Sequence, residues 1–360
     1  MGLCLFQAPV MRIVVLSSDI PFVEGGHRKI ARSVHHALSQ AGVETELRFT
    51  PQNPFAGCVA SYFSHMLMDF REDGQGREID GVLSLRFPTY CVRANRTVIW
   101  LTHRIREYYD LWDEFYRRLN LKGKIAERVR RGIVRFLDKK YMKRANKIFT
   151  ISREVASRLK KWGNLEAEVL YPPPPPRPYR CGEAGGYFFF PSRLARLKRQ
   201  EVAIRALKLV PKAKLIIAGE GEKRKELEAL AEEMGVKDRV LFTGYLNGDE
   251  LAEYYSKALA VIFIPFREDY GFVTSEAFFS CKPVITFQDS GGAKELVRDG
   301  ENGLVLPPSE EALAEAMDYF LTHRERAKEM GQEGAKIKQW LSWERVAERI
   351  KESFGEIGSG

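Results

Sequence analysis

The architecture can be read most directly from Val261-Ile-Phe-Ile-Pro-Phe-Arg-Glu268-Asp-Tyr-Gly271-Phe-Val-Thr-Ser-Glu276-Ala277. The apolar residues 261–264 are typical of a buried strand, which ends at the following proline. Gly271 permits a tight turn, after which the sequence favours a helix. Glu268 therefore lies in a loop past the carboxyl end of a strand, and Glu276 lies just inside the next helix. This order of elements is the repeating unit of a parallel α/β sheet.

The second half of the chain repeats this alternation of strand and helix. The pattern predicts a doubly wound, Rossmann-like domain over residues 187–340. In such a domain the ligand binds at the carboxyl ends of the strands. Six strands are predicted, at Tyr187–Phe190, Lys214–Ala218, Val240–Thr243, Val261–Ile264, Val284–Phe287 and Leu304–Leu306.

The first half has the same pattern and predicts another Rossmann-like domain over residues 11–171. Its first strand leads through Pro21 and the pair Gly25-Gly26 into a helix. Predicted helices span Lys29–Ala41, Ile105–Leu119 and Ile125–Tyr141. Predicted strands span Arg12–Leu16, Val43–Phe49, Val82–Leu85, Val98–Leu101, Ile148–Ile151 and Val169–Tyr171.

A proline-rich segment separates the two halves. Residues 172–186 begin with five consecutive prolines and end in a Gly-rich stretch, so we expect a linker that is stiff first and flexible later. The tail has the periodicity of an amphipathic helix over Trp343–Phe354.

Composition describes a globular protein with room for two domains. The chain has 360 residues, of which 44% are apolar and 29% charged, and its longest apolar runs are too short to cross a bilayer. The five cysteines are scattered, and neither they nor the six histidines have metal-ligand spacing. We therefore expect reduced cysteines in a cytoplasmic protein.

Positive charge is concentrated in one segment of the first half. Residues 104–161 contain 19 Lys or Arg and 7 Asp or Glu, a local charge of +12 in a chain whose net charge is +9. Such a patch indicates an anionic partner: a membrane surface, a phosphate-bearing acceptor or nucleic acid. Solvated helix faces are an equally good explanation.

Residues 261–277 resemble the corresponding segment of the retaining glycosyltransferases of family 4. Those enzymes have the GT-B fold, in which two Rossmann-like domains face a central cleft. Glu268 and Glu276 match the E-x7-E signature of that family, with the turn Gly271-Phe272-Val273 between them. Further matches follow downstream, at Ser290-Gly-Gly-Ala-Lys-Glu295 and Asp299-Gly-Glu-Asn-Gly-Leu304.

The resemblance continues upstream of the paired glutamates. Arg193 and Lys198 match the R-x4-K element that binds the donor diphosphate in that family, whereas Arg196 is not at the matching position. Arg199 departs from the family pattern, which often has glycine after the lysine. Gly219 and the pair Tyr245-Leu246 occur where family members carry strand ends near the nucleotide.

The first half resembles the family less closely. Gly25-Gly26 corresponds to a glycine loop near the donor phosphates and the acceptor, although a plain tight turn also explains it. His103, just past a predicted strand, corresponds to an active-site histidine of the family. Residues 342–356 resemble the closing element whose last helix returns to the first domain.

The resemblance implies a retaining, metal-independent transfer of a sugar from a nucleotide-diphosphate sugar to an acceptor hydroxyl. Arg193, Lys198 and the helix end would stabilise the leaving diphosphate, so no metal or other cofactor is expected. Glu268 would contact the transferred sugar and Glu276 the ribose. His103 would act at the active site.

Other functions stay open at this point. An epimerase of the same fold would release a free nucleotide-sugar product, and a basic nucleic-acid-binding protein would bind duplex in a salt-dependent way. The sequence following Tyr171 resembles a subset rich in mannosyltransferases and favours GDP-mannose over a UDP-sugar. A glycan or a lipid-linked molecule is the expected acceptor, with peripheral contact between the basic segment and the inner face of an anionic membrane, and no nucleic acid as partner.

Overall fold

A computed structural model describes residues 10–20, 25–52 and 57–355. The chain divides into two compact units. Unit 1 comprises Met1–Pro175 together with Ser342–Gly360, and unit 2 comprises Pro176–Leu341. Pro21, at the predicted turn, and Cys4 lie outside the described residues.

Unit 1 contains a six-stranded sheet in the order β2-β1-β3-β4-β5-β6, with every pair of neighbours parallel. The order reverses between β1 and β3, and α-helices connect successive strands except β3 and β4, which are joined through a 3₁₀ turn at Thr89–Cys91. The strands are β1 Arg12–Asp19, β2 Glu44–Pro51, β3 Gly81–Ser84, β4 Thr97–Leu101, β5 Lys147–Thr150 and β6 Glu168–Val169. The helices are α1 Gly26–Gln40, α2 Cys58–Leu67, α3 Trp112–Arg117, α4 Leu121–Met142 and α5 Arg153–Gly163.

The last helix, α12 (Trp343–Gly355), belongs to unit 1. It packs against α1, and the Trp343 indole donates to the Pro174 carbonyl at 3.1 Å. Arg349 donates to both carboxylate oxygens of Glu168, at 2.9 and 2.8 Å. The last helix of the chain thus packs within unit 1, up to residue 355, the last that is described.

Unit 2 contains a second parallel sheet, in the order β12-β11-β10-β7-β8-β9. Its order reverses between β7 and β10. The strands are β7 Phe188–Pro191, β8 Leu215–Ala218, β9 Val240–Gly244, β10 Ala260–Ile262, β11 Val284–Phe287 and β12 Gly303–Leu306. The helices are α6 Gln200–Leu209, α7 Arg224–Glu233, α8 Gly248–Lys257, α9 Phe272–Phe279, α10 Glu310–Thr322 and α11 Arg324–Ala335.

The two Rossmann-like domains expected from the sequence are confirmed, and each has a core of buried apolar residues. In unit 2 the central strands β7, β10 and β11 are buried throughout, as expected for a parallel sheet covered on both faces, whereas the edge strands β9 and β12 are partly exposed. The first strand of unit 1 is buried over residues 13–18 for the same reason.

One local prediction is wrong. The helix predicted over Ile105–Leu119 is instead a short 3₁₀ turn at Arg106–Tyr108 followed by α3. Tyr109 has non-helical dihedrals, and the hydroxyl of buried Tyr108 donates to Glu127 at 2.7 Å. The division between the two units falls within the predicted linker 172–186, between Pro175 and Pro176.

Among the described residues, no helix is both long and apolar enough to cross a membrane.

Candidate functional site

The loops after β7 and β10 of unit 2 meet where the strand order of the sheet reverses. The backbone N–H of Phe266 donates to the Leu197 carbonyl at 2.8 Å. The Lys198 ammonium donates to Glu268 Oε2 at 2.6 Å, and both side chains remain partly exposed. In open α/β sheets this reversal is where a ligand crevice forms. The structure therefore brings together Lys198 and Glu268, which the sequence predicted from separate motifs.

A neighbouring loop fixes the backbone of Glu268. The Glu268 N–H donates to the Ser290 carbonyl at 3.1 Å, and its carbonyl accepts from Gly292 N at 2.8 Å. Gly291 has a φ of +65°, and a side chain there would place its Cβ 2.5 Å from the Glu268 carbonyl oxygen. The double glycine after Ser290 thus allows two loops to approach and hold the carboxylate in position.

Gly271 forms the turn into α9. Its φ is +82°, and a Cβ would lie 2.3 Å from the ring of Phe263, so only glycine fits without displacement. As the N-terminal cap it offers no side chain, and the first turn, which begins at Phe272 and Val273, carries no acidic residue. The end of α9 therefore presents backbone N–H groups and a partial positive charge beside Glu268.

Arg199 accounts for the departure from the family pattern. It has a φ of +61°, the left-handed region that glycine adopts most easily. Its guanidinium makes two parallel hydrogen bonds to Asp289, at 2.8 and 2.6 Å. This bidentate pair holds in place a backbone conformation that would otherwise disfavour arginine.

Arg193 is separate from the Lys198–Glu268 pair. Its side chain is 69% exposed and lies 3.5 Å from Glu222. Backbone contacts do join its loop to the next one: Gly219 has a φ of +128°, and a Cβ there would lie 2.2 Å from the Ser192 carbonyl oxygen. The long exposed side chain thus leaves Arg193 free to reorient toward a ligand.

The loop after β9 carries an exposed aromatic residue. Gly219 N donates to the Gly244 carbonyl at 2.8 Å, which ties the loops after β8 and β9 together. Tyr245 is exposed and Leu246 is half-buried. An exposed aromatic ring here suits contact with a flat base.

Glu276 is buried and already bonded. It is 5% exposed and forms an ion pair with Arg177. It also accepts hydrogen bonds from the hydroxyls of Tyr255 at 2.8 Å and Tyr179 at 3.3 Å. A carboxylate has about four acceptor positions, so three donors leave little free capacity for the ribose predicted to bind there.

Arg177 and Tyr179 lie on residues 176–182, here called the 176–182 strap. Cys181 of the strap is disulfide-bonded to Cys281, just past the end of α9, with the two Cα atoms 5.1 Å apart. The Lys282 ammonium donates to the Gly182 carbonyl at 2.7 Å, and burial lowers the pKa of Lys282 to about 8. The expectation of reduced cysteines is therefore wrong for this pair, whose separation of 100 residues gives no spacing signal.

The sequence missed the partners of Glu276 for a simple reason. Arg177 lies within the proline run, which was interpreted as a linker, and Tyr255 lies on a helix of unremarkable pattern. An arginine between prolines 176 and 178 was the available signal, because a charged side chain on a stiff segment needs a partner.

In unit 1, charged and imidazole groups gather at the reversal between β1 and β3. Asp19, at the end of β1, accepts from Arg28 Nε at 2.7 Å and lies 3.3 Å from His27 Nε2. Gly25 caps α1 and Gly26 is its first residue, and no side chain caps this helix. Gly25-Gly26 thus lies at a helix N-terminus, as the sequence predicted.

His103 and Arg86 complete this cluster. The His103 ring lies edge-on to Phe87 at 5.9 Å, and Nδ1 is 3.4 Å from the Thr102 hydroxyl. Burial, followed by the charge of Arg86, lowers the pKa of His103 well below its usual value, so the imidazole is neutral at pH 7. Arg86 was not predicted, although it is the first polar residue after the strand Val82–Leu85.

The basic segment carries an exposed apolar stripe. Four residues of α4 lie between 59% and 76% exposed: Leu121, Ile125, Val129 and Phe136. Their spacing places them on one helical face, and Arg128, Lys139 and Lys140 are exposed beside them. In a helix that packs on a core, the apolar side chains face the protein interior. On this face of α4 they face solvent, next to exposed cations.

No group of three or more His, Cys, Asp or Glu that could hold a metal ion occurs within residues 10–20, 25–52 and 57–355.

Two Rossmann-like units, one with a cation and a carboxylate at its sheet reversal, are typical of two-domain α/β enzymes. Residues 180–337 match the family model of the glycosyl transferases group 1. An uncharacterized glycosyltransferase of Methanocaldococcus jannaschii is 36% identical over 137 residues, which cover 37% of this chain and 35% of the relative. A GDP-mannose-dependent alpha-(1-6)-phosphatidylinositol monomannoside mannosyltransferase of Mycobacterium tuberculosis is 35% identical over 190 residues, 48% of each protein. The chain thus spans between about a third and a half of the length of these curated relatives.

Solved structures match over nearly the whole chain. Sucrose-phosphate synthase from Thermosynechococcus elongatus superposes with a TM-score of 0.72 and 17% identity, covering 96% of this chain and 99% of that one. The Anabaena protein HepE, solved with UDP and glucose, gives 0.67 and 18%, covering 96% and 100%. These likenesses show the GT-B fold, and the family model and the curated relatives show that this chain is similar to group 1 glycosyltransferases over less than half of its length.

Proposed function

We propose that this protein is a retaining, metal-independent glycosyltransferase that moves a hexose from a nucleotide-diphosphate sugar to an acceptor hydroxyl. The observation that carries the proposal is the Lys198–Glu268 pair beside the uncapped end of α9. The mannosyltransferase relative favours GDP-mannose as donor, with a UDP-sugar as the alternative.

The donor diphosphate would bind at the start of α9. Backbone N–H groups of Phe272 and Val273 point along the helix axis, and Lys198 supplies a full positive charge next to them. Arg193 can reach the same group because its side chain is exposed. Charge grows on the diphosphate as the glycosidic bond breaks, and fixed cations at that place stabilise the transition state. Two cations and a helix end supply what a divalent metal supplies in other transferases.

Binding would proceed by exchange of partners. A diphosphate near Lys198 competes with Glu268 for the ammonium, which leaves the Glu268 carboxylate available for the sugar hydroxyls. At Glu276 the longest bond, 3.3 Å to the Tyr179 hydroxyl, is the one a ribose hydroxyl would replace. No protein nucleophile is required, because the departing phosphate can accept the proton of the attacking hydroxyl on the same face. The neutral His103 can then hydrogen-bond to a bound sugar.

The test is a transfer assay with GDP-mannose or UDP-glucose and a lipid extract as acceptor, in excess EDTA. We expect release of the nucleoside diphosphate and an α-linked product detected by NMR, with turnover about a hundredfold or more lower in a folded Lys198→Ala variant. A β-linked product would refute retention, and activity restored only by Mg²⁺ or Mn²⁺ would refute metal independence. Conversion of the donor into another free nucleotide sugar would indicate an epimerase.

We further propose that α4 holds unit 1 on the inner face of an anionic membrane. The exposed stripe from Leu121 to Phe136 would enter the headgroup region, and the flanking cations would meet lipid phosphates. Each Lys or Arg near such a surface contributes about 1 kcal/mol, so the cluster supports reversible binding. Apolar groups between cations are the composition that interfacial helices share.

Liposome pelleting tests this surface. Ile125→Ser with Val129→Ser should bind anionic vesicles several-fold more weakly than the wild type. Leu241→Ser removes an exposed apolar group from unit 2 and should not change binding. Equal pelleting of the wild type with neutral and anionic vesicles at low salt would contradict the proposal.

A further inference from the structure

Arg86 is a buried cation whose guanidinium is incompletely paired within the part of the chain that the structure describes. The residue is 7% exposed, and among the described residues neither Nε nor Nη1 of its guanidinium has a hydrogen-bond partner. The ring of Phe87 lies 5.3 Å from the guanidinium carbon. Unpaired buried charges are costly, so proteins retain them mainly where a ligand completes the site.

The surrounding charges do not neutralise it. Asp19 is the carboxylate whose charge acts on Arg86, but it already accepts from Arg28 and lies against His27. Burial lowers the pKa of His27 and, more strongly, of His103, so both rings are neutral at pH 7. Burial also lowers the pKa of Arg86, to about 10, which still leaves it charged. The cluster therefore retains one uncompensated positive charge.

The position of this charge is that of a ligand site. Arg86 follows β3, and Asp19 ends β1, so the two flank the reversal in strand order of unit 1. His27, coupled electrostatically to Arg86, lies in the first turn of α1, whose N-terminus has neither a side-chain cap nor an acidic residue. A buried guanidinium and an uncapped helix end, both at this reversal in strand order, could therefore bind the same anion.

We propose that Arg86 binds a phosphate group of the acceptor, with the N-terminus of α1 as the second donor. Several buried donors suit a group with three or four oxygens better than a carboxylate with two. The assignment of the phosphate to the acceptor rests on the proposed function, in which unit 2 binds the donor diphosphate. The resemblance of Gly25-Gly26 also allows a donor phosphate here, and the nucleotide arm of the test separates the two sources.

The test is a thermal-shift titration with inorganic phosphate against sodium chloride at matched ionic strength, on the full chain. It is run with and without a saturating nucleoside diphosphate, so that the donor site is filled in one arm. The wild type should be stabilised by phosphate in both arms. Arg86→Met should weaken this response at least tenfold, and Arg86→Lys should retain part of it.

The variants also separate binding from support of the fold. Without phosphate, Arg86→Met should melt at or above the wild-type temperature, because an unpaired buried charge is removed. Arg12→Met is the control: Arg12 lies at the opposite end of β1, is paired with Asp73 and Glu44, and its loss should lower the melting temperature and spare the phosphate response.

Three results would overturn the proposal. They are an unchanged phosphate response in Arg86→Met, a loss of melting temperature in that variant as large as in Arg12→Met, and a wild-type response that vanishes once the nucleotide is bound. The last would assign the phosphate to the donor site. A chain that binds phosphate through Arg86 but binds no nucleotide would sink the proposed function and leave this site standing.

Discussion

The two units share one plan but treat charge differently where their sheets reverse order. In unit 2, Lys198 is paired with Glu268 and Arg177 with Glu276. In unit 1, Asp19 forms an ion pair with Arg28, and Nε and Nη1 of buried Arg86 have no hydrogen-bond partner among the described residues. If both places bind anions, a ligand in unit 2 must displace existing partners of the charged groups, whereas a ligand in unit 1 would pair a charge that has no hydrogen-bond partner at two of its nitrogens among the described residues.

The largest expected effect concerns the exchange in unit 2. Lys198→Ala should lower turnover about a hundredfold or more, because it removes a charge aimed at the leaving group. Arg193→Ala should act in the same direction, although its exposed side chain must first reorient. The measurement is steady-state transfer at saturating donor.

Arg196→Ala is the matched control for this pair, since Arg196 lies in the same loop and is expected to have near-wild-type turnover. Full activity in both Lys198→Ala and Arg193→Ala, with folding intact, would remove unit 2 as the place where the diphosphate is stabilised.

The next effect concerns the disulfide between Cys181 and Cys281, which anchors the strap that carries partners of Glu276. Cys181→Ser opens the cross-link between the 176–182 strap and the end of α9, and we expect a loss of about 2–4 kcal/mol in unfolding free energy. Chemical denaturation with and without a reducing agent measures this loss. Reductant should weaken the wild type and leave the variant unchanged; a wild type insensitive to reductant would show that the cross-link does not contribute.

A smaller effect separates the two glutamates. Glu268→Gln should lower kcat about tenfold, because contacts to the sugar strengthen as positive charge develops on it. Glu276→Gln should mainly raise KM for the donor, because ribose contacts are similar in the ground and transition states. Steady-state kinetics with the donor varied distinguishes them.

The burial of Glu276 adds a second readout to this experiment. Glu276→Gln weakens a buried ion pair with Arg177 and should lower the melting temperature, whereas Glu268→Gln changes a partly exposed pair and should barely affect it. If Glu268→Gln kept the wild-type kcat while Glu276→Gln lost it, the proposed orientation of the donor would be reversed. The sugar would then lie at Glu276 and the ribose at Glu268.

The sequence predicted those features that local patterns encode. Apolar runs located the strands of both sheets, and the polar residues after them, such as Lys198 and Glu268, are neighbours because parallel strands end at the same edge. Arg86 also follows a predicted strand, but nothing in the sequence shows that it lacks a partner. Long-range pairing was missed: the contacts of Arg177 with Glu276 and of Cys181 with Cys281 join segments about a hundred residues apart.

Titration of the wild type and Lys198→Ala with GDP-, UDP- and ADP-sugars, followed by melting temperature, tests the donor site of unit 2 most directly. We predict that one nucleotide class stabilises the wild type, by about 2.7 kcal/mol at a hundred times its Kd, and that Lys198→Ala loses most of this shift. No shift with any nucleotide sugar at millimolar concentration, or an equal shift in the variant, would contradict the assignment of unit 2 as the nucleotide-sugar domain.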